Sequence, residues 1–399
     1  MILVELPYLT TDRAGIGGQI KISPEDFYVD EIPRYEASGE GSHTYLRFQK
    51  TGLTTLAAVN RIAQSLGVKA RSIGYAGLKD AQAVTEQTIS IADVSPEKVE
   101  QLALPGIQVI SVSKHRNKLK IGHLAGNKFV IRIRGVEETA IPQAEAILAQ
   151  LAERGTPNYF GRQRFGARQN SHRLGLAIMK NDPAEFISEL LGRPHPEEMA
   201  QAQKARRAFD AGDLAQARDL WPHSLRGEWL ILSKLAETGD KQAAMQILDR
   251  RLKRLYVSAY QSYLFNQLLA QRLPSLNQIE VGDVAYIHQR GAAFVVKSVE
   301  DEQPRVDTFE ISPAGPMFGL KYLPAEGKPA EREAAILRQS NVSLGDFHVP
   351  GVRLEGDRRP YRIPLTGVKV SWDEGLVLTF TLPPGGYATM VLREIMKND

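Results

Sequence analysis

The sequence predicts an α+β protein in two domains, and three observations carry that expectation. Within the first 135 residues, segments of alternating apolar and polar side chains lie between turn signals, as strands do. Residues 184–275 are rich in Ala, Leu, Glu, Gln and Arg at helical spacing, with few breakers apart from Pro194, Pro196 and Pro222. Strand texture then returns at 368–372 and 376–382, so the chain comes back to its first domain after the helices. A length of 399 residues agrees, since single cores stop growing at roughly 250–300.

Taken in order, residues 19–31 read as a strand, a Ser-Pro-Glu-Asp turn and a second strand. Lys21 lies in the first of these, and alternation puts it on the face opposite Ile20 and Ile22. Gly39-Glu40-Gly41 reads as a plain hairpin loop, because no third glycine follows and a strand comes next. Thr54 is placed to cap a helix on which Leu56, Val59, Ile62 and Leu66 recur at helical spacing and which Gly67 ends. Further on, the pattern predicts a short helix at 95–102, strands at 107–113 and 128–134, and a helix at 141–154. The helical stretch closes with a helix at 256–273. A hairpin at 283–296 follows, turning near Gln289-Arg290-Gly291, and then a Pro/Gly-rich loop over 303–330. A helix near 329–339, a hairpin turn at Asp373-Glu374-Gly375 and a last helix at 388–396 complete the chain.

Composition excludes several kinds of chemistry. The chain has no cysteine, which removes disulfides, thiol nucleophiles and Cys-ligated zinc together. Its eight histidines form no metal-ligand spacing, so no metal is expected. The opening Met1–Pro7 meets Glu5 too early for a signal peptide and no run is long enough to span a membrane, so a cytoplasmic protein is expected. Net charge is only +4, but it is segregated. Residues 101–135 hold seven Lys/Arg and residues 154–173 hold five, with no acid in either window, leaving −8 for the remainder. Two acid-free windows favour a polyanionic partner. The basic segment Lys114-His115-Arg116-Asn117-Lys118 has only small apolar interruptions after it, which suits phosphate contact.

Two stretches carry chemistry. The run from Gly74 to Gln87 starts as a strand, bends at Ala76-Gly77, places Lys79-Asp80 at the bend and re-enters a β-branched run at Val84. A carboxylate at such a bend can project into a cleft, although aspartate is common in turns for structural reasons alone. The second stretch, Pro157 to Arg173, interleaves aromatic, amide and guanidinium groups. Chemistry on a nucleobase uses these types: an aromatic to stack, an amide for edge hydrogen bonds, arginines for phosphates. Tyr159, Phe160 and Phe165 could equally be core aromatics.

The run Tyr75-Ala76-Gly77-Leu78-Lys79-Asp80, continued by Ala83-Val84-Thr85 and Gln87, closely resembles the catalytic motif of the TruD family of tRNA pseudouridine synthases. Asn158-Tyr159-Phe160-Gly161, followed by Gln163-Arg164-Phe165-Gly166, resembles a second motif of that family without a departure. Ser23–Phe27, Ser258-Ala259 with Leu264–Gln267, and Leu382–Thr389 with Leu392-Arg393-Glu394 resemble further family segments. The resemblance implies a mixed, mainly antiparallel catalytic sheet domain over 1–183 and 362–399, with a helix-rich TRUD domain inserted at 184–361. It implies isomerisation of a tRNA uridine, position 13 in the family, to pseudouridine. The base would flip into a basic cleft, with no cofactor and no metal. By motif position Asp80 is the catalytic aspartate, Lys21 pairs with it and keeps it ionised, and Phe160 stacks on the base. Asn158 contacts the flipped nucleotide or holds its loop. Lys79 and Gln87 count with the substrate-binding set in a supporting role, while Arg162, Arg164, Lys114, Arg116 and Lys118 hold the RNA. The partner is tRNA, there is no membrane, and a monomer is expected.

Two other readings compete. A non-catalytic RNA-binding protein on the same scaffold would be expected to lose Asp80, which this chain has. A hydrolase pairing Asp80 with Glu86 finds no supporting Gly-x-Ser-x-Gly, His-Glu-x-x-His or Walker sequence.

Overall fold

Eight segments form one sheet, and along β1, β6 and β8 the side chains alternate in burial: β1 (Phe27–Pro33), β2 (His43–Thr51), β3 (Gly74–Tyr75), β4 (Val84–Ala92), β5 (Ile107–His115), β6 (Leu124–Ile133), β7 (Thr366–Trp372) and β8 (Leu376–Leu382). The structure is a computed structural model and describes residues 6–398; the opening residues 1–5, read above for a leader, lie outside them. The strand order is β7-β8-β6-β1-β4-β2-β5, with β3 pairing to β4 off this path. β1 and β4 are parallel and every other neighbouring pair is antiparallel. The fold is therefore α+β with a mixed, mainly antiparallel sheet.

Helix Thr55–Leu66 covers one face of this sheet. The Thr54 hydroxyl accepts the N–H of Ala57 at 3.1 Å, and Gly67, at φ +71°, ends the helix in the left-handed region. Its Ala58, Val59, Ile62, Ala63 and Leu66 pack on Leu46 and Phe48 of β2 and Ile89 and Ile91 of β4. Each larger aliphatic among them, fully buried, contributes about 1.5–3 kcal/mol. The C-terminal helix Ala388–Met396 is tied to the start of the same unit. The Glu394 carboxylate accepts the N–H groups of Leu9 and Thr10 and the Thr10 hydroxyl at 2.8–3.1 Å.

The chain separates into two compact units. The sheet unit takes Tyr8–Thr156 and residues 363–398; the other takes Pro157–Arg362 with residues 6–7. Residues 157–183, grouped above with the sheet domain, thus pack with the helix-rich unit. That unit holds a long helix, Arg250–Arg272, and shorter ones at Ser171–Met179, Pro183–Leu191, Ala200–Asp210 and Arg226–Thr238. It also holds a four-stranded antiparallel sheet in the order Asp357–Pro360, Ile311–Met317, Val284–Ile287, Ala292–Val295.

Four expectations need correction. Residues 19–22 are not a strand: Gln19 makes one isolated bridge to Arg134, Lys21 has φ +59°, and Pro24–Asp26 form a 3-10 turn in which Asp26 accepts the Ser23 N–H at 3.0 Å. The Gly39–Gly41 loop is not a hairpin, because β4 lies between the strands it joins. The last helix of the helical run begins at Arg250 rather than 256, because Asp249 caps it by accepting from Arg251 and Leu252. Finally, 303–330 is not all loop. Helix Val299–Asp307 contains Pro304, and Ile311–Met317 is an inner strand despite Pro313 and Pro316. Prolines normally keep to sheet edges, which is why the stretch reads as loop. Gly315 sits there for packing, since a Cβ would come within 2.3 Å of the Tyr361 ring.

Candidate active site

The loop bearing Asp80 leaves β3 and returns at the start of β4. Its approach is fixed by close backbone packing: a Cβ on Gly74 would lie 2.2 Å from the Leu119 carbonyl, and the Ala76 carbonyl accepts the Gly122 N–H at 2.8 Å. Asp80 keeps its side chain 36% exposed. Its carboxylate pairs with the Lys21 ammonium and accepts the Gln82 N–H at 3.0 Å. Burial pushes its pKa up, but the bond and charge of Lys21 and the N–H groups of Gln82 and Ala81 outweigh it. The net value lies below that of an ordinary aspartate, so Asp80 is ionised at neutral pH. Lys21 reaches it from a left-handed backbone rather than from a strand face, and its ammonium also lies 4.5 Å from the centroid of the Phe27 ring.

Beneath the loop, buried donors hold the backbone. The Lys79 ammonium, on a side chain only 7% exposed, sits 2.7 Å from both Glu31 and Asn127, and the backbone N–H of Lys79 donates to Thr55 Oγ1 at 2.8 Å. The Thr55 hydroxyl in turn donates to Gln87 Oε1 at 2.9 Å. Lys79 and Gln87 are therefore spent inside the protein, on the loop, and are not presented to a ligand. Lys50, fully buried at the end of β2, donates to the carbonyls of Leu53 and Asp80 and to Thr85 Oγ1 at 2.6–2.9 Å. Glu86 does not pair with Asp80. Its neighbours Thr85 and Gln87 face this cluster, so it points to the other side of β4, where it accepts from Tyr28 at 2.6 Å and Arg47 at 2.9 Å. Among the described residues no group of three or more His, Asp or Glu is arranged to hold a metal.

The second motif lies in the other unit and is mostly used in packing. Asn158 donates to the Pro360 carbonyl at 2.9 Å and accepts from Arg359; of its two expected roles, holding the loop is the one its contacts make. Phe160 is buried. Its backbone exchanges two hydrogen bonds with the Asn266 amide, and its ring lies edge-on to Phe265 and under the Arg359 guanidinium at 4.2 Å. Arg164 bonds to Ser262 and the Ser258 carbonyl, whereas Arg162 is exposed and 3.7 Å from Glu197. In the sheet unit, Lys114 lies near the end of β5, exposed Arg116 pairs with exposed Glu40, and Lys118 donates to the Arg71 carbonyl at 2.9 Å. Arg132 and Arg134, within the same basic window, are paired to the buried Asp26.

Lys50, Phe27 and Asn127 do not stand out in the sequence as site residues. A signal for Lys50 exists: it shares the phase of Leu46 and Phe48 on β2, which turns a lysine toward the helix-covered face. Asn127 carries no such signal, since a single amide near the start of a strand is unremarkable in pattern.

The site thus brings together an ionised aspartate on a loop, the lysine that pairs with it and the Phe27 ring of a mixed sheet. The family model described as tRNA pseudouridine synthase D (TruD) matches residues 3–395, and the chain belongs to that family. It is 45% identical over 395 residues to tRNA pseudouridine synthase D of Geobacter sp. (strain M21), covering 98% of this chain and 99% of the relative. To that of Geotalea daltonii it is 46% identical over 395 residues, covering 98% and 100%. The crystal structure of a Methanosarcina mazei protein put forward as TruD matches with a TM-score of 0.86 at 29% identity, covering 98% of this chain and 96% of that one.

Replacing Lys21 by Met should raise the Asp80 pKa, seen as an upward shift in its carboxyl carbon NMR titration. An unmoved titration would mean that the Gln82 and Ala81 N–H groups alone hold it down. Phe160→Ala should cost about 3–5 kcal/mol of stability in urea unfolding, as for other buried phenylalanines; a loss below about 1 kcal/mol would return the ring to substrate contact.

Proposed function

We propose that this chain isomerises a uridine of tRNA, position 13 by family resemblance, to pseudouridine, with Asp80 as the catalytic carboxylate. The observation that carries this reading is the Lys21–Asp80 pair, in the family's motif and partly open to solvent. The reaction breaks the N1–C1′ bond of uridine and forms a C5–C1′ bond; C5 loses a proton and N1 gains one, so atoms balance with no redox partner. Two roles are open to the carboxylate, attack on C1′ or removal of a ribose proton, and both need it charged and accessible. Asp80 is both.

A base inside a helix cannot be reached, so the uridine leaves its stack before reacting. The aromatic ring in contact with the pair is Phe27, and Lys114, Arg116 and Lys118 hold the phosphate backbone. The sheet unit is thus the catalytic domain, and the helix-rich unit the inserted TRUD domain. In this reading the protein works in the cytoplasm as a monomer; no helix among the described residues is long and apolar enough to cross a membrane.

Asp80→Asn should abolish pseudouridine formation on tRNA transcripts while tRNA affinity stays within about twofold, since it removes charge without removing volume. Turnover near wild type would take Asp80 out of its role. Neutralising Lys114, Arg116 and Lys118 together should weaken tRNA binding and reduce the salt dependence of log K by about one for each phosphate no longer neutralised. An unchanged slope would make that segment a solvated edge.

A further inference from the structure

Lys50 is a fully buried cation for which the reaction just described gives no explicit task. An ammonium carries three protons to donate, and here three oxygens take them: Leu53 O at 2.6 Å, Asp80 O at 2.7 Å and Thr85 Oγ1 at 2.9 Å. These oxygens belong to three different segments: the turn leaving β2, the loop bearing the carboxylate, and the opening residues of β4. None of the three partners is a carboxylate, so the charge is solvated by neutral oxygens alone. Burying an ammonium in this way is costly, and an apolar residue in phase with Leu46 and Phe48 would fill the site more cheaply. The charged groups that act on it are Asp80, which favours its protonated form, and Lys79, which opposes it. Lys79 is itself engaged by Glu31.

We propose that Lys50 is the positioning residue for the catalytic loop: its charged ammonium grips the Asp80 carbonyl from beneath, and loss of that charge lets the carboxylate drift from its working position. Lys21 and Lys50 then divide the task. Lys21 holds the carboxylate oxygen, and Lys50 holds the backbone of the same residue. A neutral amine has only two protons to donate, so deprotonation releases one of the three oxygens and removes the positive charge below the loop. Burial lowers the Lys50 pKa to about 8, against a weaker upward pull from Asp80, so this release falls just above neutral pH.

The inference rests on the proposed tRNA isomerisation, and its test is the pH dependence of single-turnover pseudouridine formation by the full chain on a tRNA transcript. Wild type should lose rate on the alkaline side with an apparent pKa near 8. Lys50→Met should lower the rate at least about tenfold at pH 7, with no such alkaline limb and with tRNA affinity changed less than about twofold. Lys50→Arg keeps a charge that does not titrate in this range. It should retain more activity than the Met variant and also lack the limb, which keeps the test decisive if Lys50→Met does not fold. An alkaline limb near pH 8 persisting in either variant would overturn the assignment, as would a loss confined to tRNA affinity. A wild-type protein that makes no pseudouridine at any pH would instead sink the proposed reaction itself.

Discussion

The constraint on which the proposed reaction turns is that one carboxylate, Asp80, must be both charged and reachable. The two demands conflict. A carboxylate set into a folded site is partly buried, and burial raises a carboxyl pKa. Asp80 meets them by leaving about a third of its side chain exposed and by taking compensation on its charged form from Lys21 and from the N–H groups at Gln82 and Ala81. None of these is a covalent or metal anchor, so the arrangement is only as good as the backbone on which it stands. That explains why so much buried polarity lies under one short loop.

The support runs in a relay. Gln87 holds the Thr55 hydroxyl, Thr55 holds the backbone of Lys79, and the Lys79 ammonium closes on Glu31 and Asn127. Thr55 opens the helix that packs on β2 and β4, so the hydrophobic face of that helix and the Asp80 loop share one anchor. Packing therefore bears directly on the loop: a shift of the helix moves Thr55, and with it the residue before Asp80. The parallel β1–β4 pairing completes the frame, because it sets Glu31 on β1 within reach of a loop that ends at the first residue of β4.

Where the sequence is legible, a local rule decides the structure. Thr54 and Gly67 bracket their helix because capping and left-handed termination are properties of single residues. Asp80 is legible as a motif. Its neighbours in space are less so. Lys21 is found through the family resemblance, while the strand read around it does not exist; it reaches Asp80 from a left-handed residue, which alternation cannot foresee. Pro313 and Pro316 hide an inner strand, because pairing on both sides is a long-range fact and proline is a local sign. The aromatic motif at 157–166 reads as chemistry because its residue types suit a nucleobase, yet the same types suit a buried crossing of Phe160, Phe265 and Arg359. Residue type alone does not separate the two.

Charge segregation in sequence needs the same care. Of the cations in the two acid-free windows, Arg134 pairs with the buried Asp26, Arg132 with Asp373 and more distantly Asp26, Arg164 bonds within its own unit, and Arg168 is spent on the carbonyls of residues 189–193. Even in the Lys114–Lys118 segment, Arg116 pairs with the exposed Glu40 and Lys118 donates to the Arg71 carbonyl, so the run of charge in sequence overstates what is presented at the surface. The buried cations follow a different logic. Replacing a buried charge with well-packed apolar residues is often neutral or stabilising, so Lys50 and the Lys79–Glu31 pair are poor instruments of stability. They are good instruments of position, because a charged donor with its acceptors satisfied tolerates little displacement before a bond breaks. On the proposed reaction, a site that must hold one carboxylate in place has reason to accept that cost, and the buried polarity around Asp80 fits that reading.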